Sequence, residues 1–154
     1  MTDIHVSIGE TTLNCRVAAI ITKGSKILLH KTKDDAFWGL VGGKIMYQET
    51  SRAAIARELK EELAVDVHAE RLLVVAENFF AFKGKQFHEF CFVYQIDDGD
   101  NAIPSEEAFV EQGLMYRWFD KNELPYIEIK PTFLKPILLD MPSQLQHIIH
   151  AEPH

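Results

Sequence analysis

Three glutamates, Glu58, Glu61 and Glu62, stand at i, i+3 and i+4 in the run SRAAIARELKEEL. At about 100° per residue they fall on one face of an α-helix, beside an apolar stripe of Ile55, Ala56, Leu59 and Leu63. The stripe would fix the helix to a core. The carboxylates would face an opening, because three ionised groups cannot be buried unpaired. Like charges at this spacing weaken a helix by about 0.2–0.5 kcal/mol per pair, so a purely structural origin has to explain their density. A solvated, salt-bridged face built with Arg57 and Lys60 is one account. A hard divalent cation is the other. Oxygen ligands without Cys or His suit Mg²⁺ or Mn²⁺, and Mg²⁺ takes one or two carboxylates plus substrate phosphates. Phosphoryl chemistry follows from that second account.

The residues upstream favour the second account. Gly43, five residues, Glu49, seven residues, then Arg57-Glu58-Leu59-x-Glu61-Glu62 and Ala64-Val65 resemble in type and spacing the Nudix box of the Nudix hydrolases. The resemblance implies that Glu58, Glu61 and Glu62 bind divalent metal, with the backbone carbonyl of Gly43 as a further ligand. One of these glutamates, or a carboxylate from a later loop, would activate the attacking water. The resemblance also implies that Arg57 holds Glu49 and so orients the helix, giving Glu49, Arg57, Glu58, Glu61 and Glu62 as the expected catalytic set. Gly42 and Gly43 suit a loop that brings backbone oxygen to a metal, through close approach and free φ. Two positions depart from the family's pattern. Val41 stands where many members have proline, and Ala64 stands where the box usually ends in glycine. If Ala64 is left-handed, alanine there costs on the order of 1 kcal/mol.

These residues need a scaffold, and the flanking pattern supplies one. Residues 3–8 and 12–22 read as strands, the second (LNCRVAAIIT) apolar enough for a central position. Lys23-Gly24-Ser25 turns the chain into KILLHK, making a hairpin that leads to the box. Arg16, Lys31 and Lys33 are the cations here that could meet substrate phosphates. FWGLVGG is extended, with Trp38 open to packing or to base stacking. The helix is expected over Ser51 to Leu63, with Thr50 or Ser51 as N-cap. Arg71 to Phe82 and FHEFCFVYQI form a long hairpin around Lys83-Gly84-Lys85. Phe79, Phe80, Phe87, Phe90 and Phe92 make one of its faces aromatic, while Glu77, His88 and Glu89 interrupt the apolar pattern. Asp97-Asp98-Gly99-Asp100 lacks the ligand spacing of a calcium loop and reads as an acidic turn. A loop from Ser105 to Gly113 then carries Glu106, Glu107 and Glu111 ahead of the strand MYRWFD. Many Nudix enzymes draw an extra acid from a loop here, and spacing does not choose among the three. A helical turn ends at Glu123-Leu124-Pro125. Pro131 suits a first helical position, and a turn from it leads to a short helix ending near Asp140. HIIHA reads as an edge strand, where His147, His150 and His154 match no metal motif.

The chain has 154 residues, 47% hydrophobic and 25% charged, which suits a single domain over 1–154. A net charge of −7 argues against a polyanion-binding surface, so no nucleic-acid partner is expected. Cys15 and Cys91 are isolated in apolar contexts and read as reduced thiols of a cytoplasmic protein. The N-terminus MTDIHVSIGE has no secretory pattern and no apolar run reaches membrane length, so no membrane partner is expected either. The Nudix resemblance implies an α+β fold, an α/β/α sandwich with a mixed sheet flanked by helices. The leading expected activity is hydrolysis of a nucleoside diphosphate linked to another group X, with Mg²⁺ as cofactor and Mn²⁺ as its alternative. Nucleoside or deoxynucleoside triphosphates are the rival substrates. A non-catalytic nucleotide-sensing module is the rival of another class, and the complete glutamate set argues against it. Candidate nucleotide contacts are Arg16, Trp38, Phe80, His88 and Glu111. A homodimer is compatible with this reading. The places where a proline marks the ADP-ribose group and a tyrosine the dinucleoside-polyphosphate group hold Phe80 and Ala81, which supports neither.

Overall fold

The computed structural model describes residues 2–152, so His154 lies outside it. Its axis is β2 (Thr11–Lys23), whose alternate residues enter two different cores. Val17, Ala19 and Ile21 point to one side and Ala18 and Ile20 to the other, all buried. Cover on both faces explains why this strand reads as a continuous apolar run rather than an alternating one.

Along one edge, β2 runs parallel to β6 (Lys85–Asp97) from Thr11↔Gln86 to Thr22↔Asp97. The antiparallel partner of β6 is β5 (Arg71–Phe82), and β9 (Gln146–Ala151) adds a parallel edge strand to β5. The other edge of β2 is shared. β1 (His5–Ile8) pairs with its first residues, and β4 (Val41–Lys44) pairs with Arg16 through Ala19. The expected hairpin from β2 into β3 (Lys26–Thr32) therefore closes over only two rungs, Thr22↔Ile27 and Lys23↔Lys26. β4 occupies the place beside β2, and β3 leaves to pair with β8 (Leu114–Asp120).

Helices cover both faces of this mixed sheet. α1 (Ser51–Leu63) buries Ala54, Ile55, Leu59 and Leu63 against the Val17 side. A 3₁₀ turn (Lys121–Tyr126) and α2 (Leu134–Leu139) bury Leu124, Leu134 and Leu138 on the Ala18 side. This is the expected α/β/α sandwich. Thr50 is the N-cap of α1, its hydroxyl accepting the Ala53 N–H at 3.1 Å. Pro136 is tolerated as the third residue of α2, where an N–H has no intrahelical partner. Among the described residues, no helix is long and apolar enough to cross a membrane.

Three expectations need correction. The loop from Ser105 to Gly113 contains a strand, β7 (Ala108–Glu111), which joins β8 through Gln112 and Gly113. Both turn residues have positive φ, 49° and 79°, the backbone that a two-residue hairpin turn demands. Pro131 is not the first residue of α2, but the expected turn from it into that helix forms, its carbonyl accepting the Leu134 N–H at 3.1 Å. The aromatic residues of the β5–β6 hairpin do not share a face. Register aligns Phe79 with His88 and Phe80 with Phe87, so alternation sends Phe79, Phe90 and Phe92 to the α1 side and Phe80 and Phe87 to the α2 side. The acidic turn is structural: Asp98 is buried, accepts the Ala102 and Ile103 N–H groups, and pairs with Lys23 at 3.1 Å.

Candidate active site

Arg57 organises one end of the carboxylate face. Its Nε and Nη2 donate to the two oxygens of Glu49 at 2.7 and 2.9 Å, and Nη2 also donates to the Lys44 carbonyl at 3.1 Å. Nη1 donates to Glu58 at 3.0 Å and to Glu61 at 3.2 Å. Glu49 in turn accepts the Met46 N–H at 2.9 Å, which ties the loop before α1 to the helix. Hydrogen bonding from Arg57 holds the Glu49 carboxyl below the usual carboxylate range. The same bonds, chiefly those to Glu49, raise the pKa of the guanidinium. A planar fork serving two carboxylate oxygens at once is a task for arginine rather than lysine.

The two glycines are required by space. A Cβ on Gly42 would lie 2.0 Å from the Val17 carbonyl oxygen, and one on Gly43 would lie 2.3 Å from the Glu58 carboxylate carbon. Neither has positive φ, so the expected use of φ freedom is not what selects them. Close approach alone brings the β4 backbone against Glu58.

The other end of the face is different. One carboxylate oxygen of Glu62 is buried without a hydrogen-bond partner. Burial, reinforced by the neighbouring charge of Glu58, pushes the Glu62 carboxyl up to about 7. Two groups that the sequence reading passed over join it here. Tyr116 on β8 is buried with its hydroxyl unpartnered, and its pKa is raised by burial and then by the charges of Glu62 and Glu111. His30 on β3 lies 5.4 Å from the Tyr116 ring, and its Nδ1 is likewise buried and unpartnered. Burial, with the charge of Arg16, lowers its imidazole to about 4. Nothing in the local pattern of KILLHK or MYRWFD marks these two residues, because only the β3–β8 pairing, His30↔Tyr116, joins them.

The tip of the β7–β8 hairpin also reaches the helix. Gln112 donates from Nε2 to the Glu61 carbonyl at 2.6 Å, and Glu111 next to it lies close enough for its charge to act on Tyr116. Of the other two acids in that segment, Glu107 is turned to Arg117 at 3.4 Å, and Glu106 is exposed. α1 ends at Ala64 with φ 57° and ψ 33°, a left-handed residue whose N–H bonds the Lys60 carbonyl at 3.0 Å.

The remaining candidates are dispersed. Arg16 is half-buried opposite Lys44, and its charge opposes the rise at Glu62. Trp38 packs edge-on against Phe119 at 4.9 Å, and Lys31 is engaged by the Asp35 carbonyl. Lys33 is exposed. Phe80 stacks on Phe87 at 5.0 Å, and His88 sits between Phe79 and Phe90. Glu77 is hydrogen-bonded to His147 at 2.6 Å.

Among the described residues, no three His, Cys, Asp or Glu side chains stand as a ready-made metal cage. Arg57 draws Glu58 and Glu61 towards itself. The donors nonetheless fit a hard divalent cation, since all are oxygens and the buried, unpartnered oxygen of Glu62 gains from a positive charge beside it.

Comparison with known proteins gives the family. The chain is 44% identical over 54 residues to the CTP pyrophosphohydrolase of Escherichia coli (strain K12), a match covering 32% of this chain and 40% of that protein. Its fold resembles a MutT protein from Bacillus halodurans (TM-score 0.68, 18% identity, 91% of each chain covered). It also resembles a MutT NUDIX hydrolase from Burkholderia pseudomallei (TM-score 0.63, 28% identity, 85% of this chain and 98% of that one). The family model described as NUDIX domain matches residues 13–140, a span that runs from β2 through α2 and carries the whole Glu49–Arg57–Glu62 arrangement, so this chain belongs to the Nudix family.

Proposed function

We propose that the protein is a divalent-metal-dependent nucleotide pyrophosphohydrolase, cleaving a phosphoric anhydride bond by attack of water on phosphorus. The observation that carries the reading is the Glu62 carboxylate, half-enclosed beside Glu58 with one oxygen buried and unpartnered. Glu58, Glu61, Glu62 and the Gly43 carbonyl would hold the cation. When bound, the cation neutralises phosphate oxygens and lowers the pKa of water.

The chain's own residues have distinct tasks. Arg57 and Glu49 keep the helix face in register with the Gly43 backbone. Among the three glutamates, Glu62 keeps a buried carboxylate oxygen without a partner, which makes it our choice for general base. Glu111 is the further acid from the later segment, and Arg16, whose charge acts on Glu62, is the cation for a phosphate contact. Of the two substrate classes left open by the sequence, nucleoside triphosphates now come ahead of nucleoside diphosphates linked to X. The similarity to a CTP pyrophosphohydrolase favours that order.

The test is a panel of nucleoside triphosphates and diphosphate-linked nucleotides incubated with Mg²⁺ or Mn²⁺, products resolved by chromatography. Release of pyrophosphate and nucleoside monophosphate, abolished by chelator, is the expected outcome. Failure to cleave any member with either metal would sink the reading.

A further inference from the structure

The β7–β8 hairpin turns through two residues, Gln112 and Gly113, both with positive φ. Glycine, asparagine and aspartate are the residues this backbone favours, because larger side chains meet steric resistance there. Glutamine at the first position therefore carries a cost that the turn itself does not explain. Its side chain leaves the hairpin. Nε2 donates to the Glu61 carbonyl at 2.6 Å and to the Glu62 carbonyl at 3.4 Å, 51 and 50 residues away in the chain. The β5–β6 hairpin turns through Lys83 and Gly84, again with positive φ, and there the long side chain only lies over its neighbour Phe82.

The two acceptors give the contact its meaning. The last four carbonyls of an α-helix have no intrahelical donor. In α1 the Ala64 N–H takes that of Lys60, and Gln112 takes those of Glu61 and Glu62. The helix turn that carries Glu61 and Glu62 is thus tied to the residue that follows Glu111. At the other end of the hairpin, Phe109 stacks on the Tyr116 ring with planes 3° apart. The charges of Glu62 and Glu111 both act on the Tyr116 hydroxyl, so the two carboxylates flank the same group. The donor's chemistry fits as well. A helix C-terminus favours a cation, but lysine or arginine here would bring positive charge to carboxylates that are to hold Mg²⁺. A neutral amide satisfies the carbonyls and leaves the carboxylates free for metal.

We propose that Gln112 is a positioning residue, a latch that clamps the β7–β8 hairpin onto the last turn of α1 and so fixes Glu111 against the cation site. The proposal rests on the metal-dependent reading above and adds a residue to it. The latch is exposed, and water can replace it at either carbonyl, so it contributes placement rather than stability. Without it the hairpin swings from the helix and Glu111 loses its place, while the fold remains.

Wild type is to be compared with Gln112→Gly, Gln112→Met, Glu111→Gln and the Gln112→Gly/Glu111→Gln double variant. Gln112→Gly eases the turn and removes the donor, whereas Gln112→Met keeps the length and removes the donor. Melting is followed in chelator and in Mg²⁺ at matched ionic strength, and turnover on the nucleotide panel is resolved into kcat and KM. In chelator both Gln112 variants should melt within about 4 °C of wild type. In Mg²⁺ they should show the same reduced shift as Glu111→Gln. Their kcat should fall about tenfold or more with KM little changed, and the double variant should be no slower than Glu111→Gln alone. Wild-type kcat and Mg²⁺ shift in either Gln112 variant would overturn the latch and leave the hydrolase reading intact. Losses that multiply in the double variant, or a Glu111→Gln protein with the full Mg²⁺ shift, would overturn it too. A wild type that cleaves nothing, with a Mg²⁺ shift that the Gln112 variants lose as Glu111→Gln does, would support the latch and reject the hydrolase reading. A wild type with neither cleavage nor Mg²⁺ shift would overturn both.

Discussion

The two ends of the α1 carboxylate face solve opposite problems. At the Glu49 end, the guanidinium of Arg57 makes five hydrogen bonds, reaching Glu49, Glu58, Glu61 and the Lys44 carbonyl, and every charge there has an opposite or a donor. At the Glu62 end, buried oxygens of Glu62 and Tyr116 and a ring nitrogen of His30 have no partner. The first end is complete in the protein alone and belongs to positioning. The second has buried polar groups without a protein partner, at a cost of about 1–3 kcal/mol each if left so, which suits the cation and substrate proposed there. One helix thus carries a finished anchor and an unfinished site within two turns.

The sharpest way to break this contrast is Glu62→Gln. Turnover should fall by at least about 100-fold, the usual scale for losing a general base. In chelator the variant should melt at or above wild type, because a carboxylate held against burial and Glu58 is removed. It should also lose most of the Mg²⁺ stabilisation, which for a one-site binder is about 2.7 kcal/mol at a hundredfold excess over Kd. Equal Mg²⁺ shifts in both proteins, at matched ionic strength, would reject Glu62 as a principal ligand.

Arg57→Ala attacks the finished end. It strands Glu49 and removes charge-assisted bonds worth about 1.5–3 kcal/mol, so chemical denaturation should show a loss of that order. Turnover should drop roughly tenfold or more as the helix face shifts. Arg57→Lys should recover little of either, because an ammonium cannot grip both Glu49 oxygens. Normal stability and turnover in Arg57→Ala would mean that the brace is dispensable.

Titration separates the ends without touching activity. The Glu49 carboxyl is depressed by Arg57, so its contribution is complete above the ordinary value of 4.5 and is lost as pH falls through its folded value. Glu62 works in the reverse sense. In chelator the fold keeps the Glu62 proton up to about 7 while the unfolded chain has lost it near 4.5, so stability should decline as pH rises between those values and level off above. Glu62→Gln should flatten that decline while leaving the acid limb unchanged. Denaturation midpoints across pH 3–8, in roughly unit steps, test both signs.

The smallest effect is expected just beyond the unfinished end. Ala64 is left-handed, a conformation costing a residue with a Cβ about 1 kcal/mol relative to glycine. Ala64→Gly should therefore raise stability by about 0.5–1 kcal/mol and leave turnover unchanged. A destabilised variant would show that alanine is retained there for packing against the helix end.

What the sequence by itself determined lies within single segments. A continuous apolar run marked the central strand, and local repeats marked the long hairpin, the edge strand and α1. Thr50 and Ala64 delimited that helix, and the resemblance to the Nudix box implied that Arg57 holds Glu49. These features depend on neighbours a few residues away, so the chain order contains them. Other features depend on which distant segments meet. Ala108 to Glu111 became a strand only because β8 lies beside it, and that hairpin alone distinguishes Glu111 from Glu106 and Glu107. Tyr116 comes near Glu62, and His30 packs against the Tyr116 ring, from paired strands whose residues are 86 apart by number. Gly42 and Gly43 read as flexible in the sequence and prove to be spacers, since the atoms that exclude a Cβ belong to β2 and α1. Register and close approach are set by packing between segments far apart in the chain, which local periodicity does not encode.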